Sequence, residues 1–191
     1  AAARLDDAFG DLARKRAAEA HRLPTREEML AVVHGEAGEK FEAMQSILDG
    51  RDGRAVVFTY RRDTAKAVYA QLKAQGVAAF GIHGELPEVQ RAMQMDGFRH
   101  AEDGVLVATM GVGGLGIDLS AATTALFLDL DPVPGTLLQA EDRLWRPGGR
   151  SSVTCYYICL KGTIDEAMAR LVCEKLEAYQ ALLGQEAQAG G

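Results

Sequence analysis

The hydrophobic positions of this chain change their spacing near residue 54. Before that point apolar residues recur every three or four positions, which predicts helices. In the first thirty or so residues this spacing is shared by Leu5, Phe9, Leu12 and Arg16. A second helix is predicted over residues 38–53, with four apolar residues on one face: Phe41, Met44, Ile47 and Leu48. The chain before residue 54 is therefore expected to be helical.

From residue 54 onward, short apolar runs alternate with amphipathic stretches. The runs are rich in β-branched and aromatic residues and predict strands in segments 54–60, 77–84, 104–109, 123–131 and 151–160. The amphipathic stretches predict helices in segments 61–76, 86–101, 136–145 and 163–183. This alternation is typical of an α/β fold, a parallel sheet with helices on both faces. In such folds functional residues gather in the loops at the carboxyl ends of the strands.

Composition narrows the class of protein. Hydrophobic residues make up 48% of the 191 residues and charged residues 25%, as in soluble globular proteins. No run of 18 apolar residues predicts a membrane span, and the charged N-terminus lacks the apolar centre of a signal peptide. A net charge of −6 counts against a protein that coats nucleic acid, although it leaves room for a local phosphate-binding surface. Fifteen arginines against six lysines, with abundant alanine, are typical of GC-rich bacterial genomes and favour a bacterial source.

The three cysteines are interpreted as core thiols in a reducing compartment. Cys155 and Cys159 are predicted on one strand, four residues and about 13 Å apart. That distance is too long for a disulfide, and the spacing is wrong for a zinc site. Neither these residues nor Cys173 is therefore expected to form a disulfide or bind a metal.

A glycine-rich loop follows the third predicted strand. Gly111, Gly113, Gly114 and Gly116 allow a close approach of the backbone to another surface and expose N–H groups to an anion. The loop matches neither the dinucleotide-binding pattern nor a Walker A loop, because the chain contains no GK[ST]. A dinucleotide site is therefore not expected. Asp118, at the end of the loop, is a candidate helix cap or an acceptor for a ribose hydroxyl.

The segment QAEDRLWRPGGR, residues 139–150, concentrates charge and has two interpretations. Arg143 and Arg146 either form ion pairs with Glu141 and Asp142 at a solvated helix end, or hold two guanidinium groups toward an anion. The segment alone does not decide between these interpretations.

Four segments in order resemble the second RecA-like lobe of superfamily-two helicases, and within that group the Swi/Snf-type DNA translocases. The segments are GEKFEAMQSIL (38–48), GGLGID (113–118), LDLDP (128–132) and QAEDRLWR (139–146). The resemblance covers about residues 36–180 and implies a RecA-like parallel sheet. It implies an N-terminal helical segment or linker over residues 1–35, the lobe over 36–183 and a flexible tail over 184–191.

The resemblance also implies a role in ATP hydrolysis and in the remodelling of chromatin or another nucleoprotein. ATP and Mg²⁺ would be held mainly by a first lobe, whose phosphate loop this chain lacks, so the chain is expected to be part of a longer enzyme and inactive alone. Arg143 and Arg146 would act as arginine fingers on the ATP phosphates. The resemblance implies four further residues near the nucleotide: Gly114, Gly116, Asp118 and Gln139.

Sequence-independent contact with the DNA backbone is the other implied role. It would involve residues after three strands: Thr59, His83, Gly84 and Thr109. The implied partners are the first lobe and DNA, and no membrane partner is implied. The expected location is the bacterial cytoplasm or, in a eukaryote, the nucleus. A strand-separating DNA or RNA helicase and a non-catalytic interaction module remain alternatives. The chain departs from the family at Gly111, where a basic residue is usual, and at residues 147–149, where Pro-Gly-Gly replaces Ile-Gly-Gln.

Overall fold

Five parallel strands form the central sheet, and two short strands form a second one. The computed structural model describes residues 33–34, 37–111, 117–144 and 153–175. In chain order the strands are β1 (Val33–His34), β2 (Ala55–Thr59), β3 (Ala79–Ile82), β4 (Val105–Thr109), β5 (Thr124–Phe127), β6 (Thr154–Tyr157) and β7 (Leu160–Lys161). The central order is β3-β4-β2-β5-β6, and β1 pairs in parallel with β7.

Helices occupy the connections between the strands. They are α1 (Ala37–Asp49), α2 (Arg62–Ala74), α3 (Glu88–His100), α4 (Pro134–Asp142) and α5, which is described over residues 164–175. The predicted α/β fold with a parallel sheet is confirmed. The chain before residue 54 is not wholly helical, because β1 lies there, and the predicted helix with Leu5, Phe9, Leu12 and Arg16 lies outside the described residues.

The prediction of one strand over residues 151–160 was wrong. Strand β6 ends at Tyr157, and the chain enters the second sheet at Leu160. Cys155 therefore lies in β6, whereas Cys159 lies between the two strands. Cys155, Cys159 and Cys173 are all buried, which confirms their interpretation as core residues. Burial, with lesser effects of neighbouring charges, raises the pKa of Cys159 to about 12.

Contacts on either side of β3 show that helices cover both faces of the sheet. The ring of Tyr69, on α2, lies against Gly81, whereas the ring of Phe80 lies against Gly97 of α3. Because successive strand residues point to opposite faces, α2 and α3 must lie on opposite sides. Strands β2 and β4 are buried at all five positions, as their continuous apolar sequences predict.

An aromatic column crosses three neighbouring strands on one face. Phe58, Phe127 and Tyr157 are partners in the register of β2, β5 and β6. Their ring centroids lie 4.9 and 4.8 Å apart, with interplanar angles of 20° and 11°. The column aligns the carboxyl ends of these strands, next to which the candidate site lies.

Helix α1 packs on the core through Met44 and Leu48, both buried as predicted, with Phe41 and Ile47 partly buried beside them. None of the helices in the described part of the chain is long and apolar enough to cross a membrane.

Candidate functional site

The carboxyl ends of β3, β4 and β2 lie side by side and bring three of the predicted DNA-contacting positions together. Thr59 and Thr109 are partners in the register of β2 and β4. Ile82 is the partner of Ala108, so His83 follows at the level of Thr109. The sheet order therefore brings together residues at the carboxyl ends of three strands. We call this end of the sheet the carboxyl edge.

The two threonines at the carboxyl edge are not equally accessible to an outside ligand. Thr59 is completely buried, and its hydroxyl donates a hydrogen bond of 3.1 Å to the carbonyl of Arg61. It shapes the turn after β2 and offers no atom to an outside ligand in this conformation. Thr109 retains 7% of its surface and lines a small hollow beside Arg143.

His83 and Gly84 begin the turn after β3. His83 is half-buried, and its Nδ1 is buried without a hydrogen-bond partner in the described part of the structure. Gly84 is exposed, and a Cβ built there would meet no atom within 4 Å. Packing within the lobe therefore does not require glycine at this position, which leaves its backbone open to an approaching group.

Arg143 lies one residue beyond α4 and caps its C-terminus. Its carbonyl accepts a 3.1 Å hydrogen bond from the N–H of Leu119, and the residue lines the hollow formed with Phe58, Ala108 and Thr109. The residue is half-buried, and burial lowers the pKa of its guanidinium. Among the described residues no carboxylate lies within ion-pairing distance of Arg143. Arg143 thus forms no ion pair with Glu141 or Asp142, and its role toward an anion stays a prediction.

A hydrogen bond from the sheet holds the last turn of α4. The buried hydroxyl of Tyr157 donates to Oε1 of Glu141, two residues before Arg143. The carboxylate that the sequence offered as an ion-pair partner thus contacts the aromatic column. This contact anchors the helix end from which Arg143 extends.

The remaining nucleotide-site predictions are only partly covered by the described residues. Asp118 is half-buried, and its Oδ1 accepts a 3.0 Å hydrogen bond from the N–H of Ser120, so it caps a turn rather than a helix. Gln139 is exposed on α4. Arg146 and the two predicted glycines, Gly114 and Gly116, lie outside the described residues.

Two acidic residues after β5 have roles that the sequence interpretation missed. Lys40 lies 3.4 Å from Oδ1 of Asp129 and 2.7 Å from Oδ2 of Asp165, and its side chain is only 13% exposed. Asp131 is buried and accepts a 2.8 Å hydrogen bond from the N–H of Val133, which fixes the turn into α4. The alternating LDLDP sequence was the available signal, because it places carboxylates directly after a buried strand.

Comparisons with known proteins show a family and support the fold. The family described as "Helicase conserved C-terminal domain" matches residues 39–148. The SWI/SNF-related matrix-associated actin-dependent regulator of chromatin subfamily A-like protein 1 homolog of Caenorhabditis elegans is 30% identical over 131 residues, which are 68% of this chain and 19% of that protein. Protein CHROMATIN REMODELING 8 of Arabidopsis thaliana is 33% identical over 114 residues, 59% of this chain and 10% of that protein. The chain thus spans no more than a fifth of either relative.

A solved structure supports the fold. The C-terminal part of the Fun30 ATPase domain superposes with a TM-score of 0.64 at 22% identity, covering 70% of this chain and 45% of that one. The relatives named here are eukaryotic, so they lend no support to the expected bacterial source. The sequence relatives and the solved structure are consistent with a second RecA-like lobe of the Swi/Snf type. The chain belongs to the helicase conserved C-terminal domain family.

Proposed function

We propose that this lobe is half of an ATP-driven motor that moves along double-stranded DNA. Arg143 reaches the phosphates of ATP bound to a first lobe, and the carboxyl edge contacts the DNA backbone. The observation that carries the proposal is the state of Arg143, which is half-buried and has no carboxylate partner among the described residues.

A partly buried guanidinium without an anionic partner lowers the free energy of unfolding, and an anion that pairs with it removes this cost. Desolvation by burial lowers the pKa of Arg143, and a negative charge beside the guanidinium would oppose that shift. Triphosphate supplies that charge, and its hydrolysis spreads negative charge over oxygens that a planar guanidinium fork stabilises. Arg143 is thus placed to act on ATP rather than to hold the lobe together.

The rest of the proposed nucleotide site follows from the resemblance. Arg146 is the second arginine finger, and Gln139, Gly114, Gly116 and Asp118 line the same cleft. No group of three or more His, Cys, Asp or Glu side chains in the described part of the lobe could hold a metal ion. We assign Mg²⁺ and most contacts to ATP to the first lobe.

Thr109, His83 and Gly84 form the core of the proposed DNA contact. The exposed backbone at Gly84 suits contact with phosphate, which carries no sequence information, and Thr109 lines the hollow nearby. Thr59 contributes by shaping the neighbouring turn. A motor of this kind acts on DNA, so we propose a nuclear location, as the eukaryotic relatives favour.

ATPase measurements on the protein that contains both lobes test the proposal. Arg143→Ala should lower kcat by up to about 10³-fold, while the affinity for ATP changes little, because the finger acts on charge that develops during transfer. Arg143→Lys should restore little activity, because it keeps the charge without the fork. Arg99→Ala removes an exposed arginine before β4, at the opposite edge of the sheet, and is the matched control.

Two outcomes would contradict the proposal. Unchanged DNA-stimulated turnover in Arg143→Ala would favour the non-catalytic interaction module. Stronger stimulation by single strands or RNA than by duplex DNA would favour the strand-separating helicase.

A further inference from the structure

Helix α4 carries the proposed arginine finger at its far end, and the turn at which it begins is held by a neighbouring helix. This turn covers residues 128–133, after β5, and we call it the entry turn. Within it, buried Asp131 accepts a 2.8 Å hydrogen bond from the N–H of Val133. From outside, Lys175 of α5 donates a 2.7 Å hydrogen bond to the carbonyl of Pro132. The direction in which α4 leaves the sheet is therefore fixed in part by contacts outside the proposed nucleotide site.

A mostly buried lysine makes a further contact with the entry turn. Nζ of Lys40, on α1, lies 2.7 Å from Oδ2 of Asp165 and 3.4 Å from Oδ1 of Asp129, in the entry turn. The three side chains are only 13%, 19% and 22% exposed, in that order. Asp165 is itself held, because its Oδ2 accepts a 3.2 Å hydrogen bond from the N–H of Leu160 in β7. Lys40 therefore joins the entry turn to a carboxylate whose position the second sheet fixes.

Asp129 depends on Lys40 for the neutralisation of its charge. Among the described residues, Lys40 is the one cation within ion-pairing distance of this carboxylate, whose Oδ2 is buried without a hydrogen-bond partner there. Salt and water screen a pair on an open surface, but they reach this pair poorly because its side chains are mostly buried. Loss of the lysine would leave two neighbouring carboxylates partly desolvated and of like charge. The Asp129 carboxylate, and with it the entry turn, would then shift toward water.

The length of α4 magnifies a small change at the entry turn. An α-helix rises about 1.5 Å per residue, so the nine residues of α4 span about 13 Å. A tilt of about 5° at the entry turn would displace the far end by about 1 Å. Misplacement of a catalytic group by about 1 Å can lower a rate by about 10²-fold. The contact between Tyr157 and Glu141 limits the movement at that end, so a smaller loss is expected here.

We propose that Lys40 is a positioning residue for the arginine finger, acting through Asp129 to set the direction of α4 and so the place of Arg143. The inference rests on the proposed function and adds to it a residue that touches neither ATP nor DNA. Lys40 lies on α1, and its ammonium is turned toward two carboxylates of its own lobe. It therefore affects turnover only through the elements that it joins.

Steady-state ATPase measurements on the protein that contains both lobes test the inference. Lys40→Met should lower kcat about tenfold and leave KM for ATP little changed, because the contact orients a group that acts during transfer. Asp129→Asn, which keeps the pair of Lys40 and Asp165, should lower kcat about threefold. The double variant Lys40→Met/Asp129→Asn should lose no more kcat than Lys40→Met alone, since both changes break one contact. Lys73→Met removes an exposed lysine in the last turn of α2 and is the matched control for the loss of charge.

Melting temperatures separate positioning from a contribution to stability alone. Lys40→Met leaves two unpaired carboxylates and should be the least stable variant, whereas the double variant removes one charge of each sign and should recover most of the loss. The inference expects kcat to stay low in the double variant although its melting temperature recovers. Activity is measured at a temperature at which circular dichroism shows each variant folded. If Lys40→Met does not fold, Asp129→Asn and the double variant carry the test.

Three outcomes would overturn the inference and leave the proposed function standing. The first is a kcat within about twofold of the parent in Lys40→Met and the double variant while Arg143→Ala loses activity. The second is recovery of kcat together with the melting temperature in the double variant, and the third is a raised KM with unchanged kcat. Unchanged turnover in Arg143→Ala would overturn the proposed function and this inference with it.

Discussion

The hydrogen bond between Tyr157 and Glu141 should be a measurable link between the sheet and α4. Tyr157→Phe removes only the hydroxyl and leaves the ring stacked on Phe127 at 4.8 Å. The Glu141 carboxylate then loses a buried donor. Because Glu141 precedes Arg143 by two residues, the change loosens the helix end that carries the proposed finger.

The expected loss follows from the burial of the two groups. A hydrogen bond to a charged group contributes about 1.5–3 kcal/mol. Tyr157 is completely buried, but Glu141 is half-buried and can take up water in place of the hydroxyl. We therefore expect the free energy of unfolding to fall by about 1.5 kcal/mol, the lower end of that range. For a chain of this size the melting temperature should fall by about 3–6 °C.

A double-mutant cycle isolates the contact. Urea unfolding of Tyr157→Phe, Glu141→Ala and the double variant gives a coupling energy, in which the other contacts of each side chain cancel. We expect about 1–1.5 kcal/mol. The matched control is the pair of Glu166 and Arg170, four residues apart on α5, whose coupling should be clearly smaller because the Arg170 side chain is more than half exposed. A coupling for Tyr157 and Glu141 no larger than this control would refute the proposed anchor.

Four further predictions concern stability, binding and reactivity. Arg54 donates 3.0 Å hydrogen bonds to three backbone carbonyls, one in the last turn of α3, one directly after α3 and one before β5. Arg54→Ala should therefore cost about 2–3 kcal/mol in urea unfolding; a loss below about 0.5 kcal/mol, typical of a surface change, would be inconsistent with this clamp. Gly97→Ala places a Cβ against the ring of Phe80 and should cost about 1–3 kcal/mol by the same measurement, whereas unchanged stability would mean that the ring moves freely. A Cβ at Gly111 would meet no atom of the described residues within 4 Å, so Gly111→Lys should leave stability within about 0.5 kcal/mol of the parent. The same change should steepen the salt dependence of duplex binding by about 0.9, and an unchanged slope would argue against DNA contact near this loop. Because the raised pKa of Cys159 reflects burial of the neutral thiol, its contribution to stability is complete below pH 9 and is lost as pH rises from 9 toward about 12. Rapid reaction of this thiol with a disulfide reagent in the native state at neutral pH would contradict that burial.

Local patterns were sufficient to predict the strands and their order in the chain. Each strand of the central sheet lies within a predicted apolar run, because burial on both faces requires continuous hydrophobic residues. The order of the motifs was sufficient to predict the family, since GGLGID, LDLDP and QAEDRLWR each occupy a set position relative to a strand. The carboxyl edge could also be anticipated, because parallel strands end on the same side.

Pairings between distant segments came only from the tertiary structure. The β1–β7 sheet joins residues more than 120 positions apart, and neither two-residue strand has a periodicity that could predict it. Local spacing indicated only that Glu141 lies near arginines, and the packed sheet is what brings the hydroxyl of Tyr157 to its carboxylate. Likewise, Glu85 lies 23 residues from Arg62 and meets it because β3 and β2 flank β4. Periodicity indicates which face of a helix or strand is buried. The partner of a polar group depends instead on which elements become neighbours, and the packing of the whole sheet decides which elements those are.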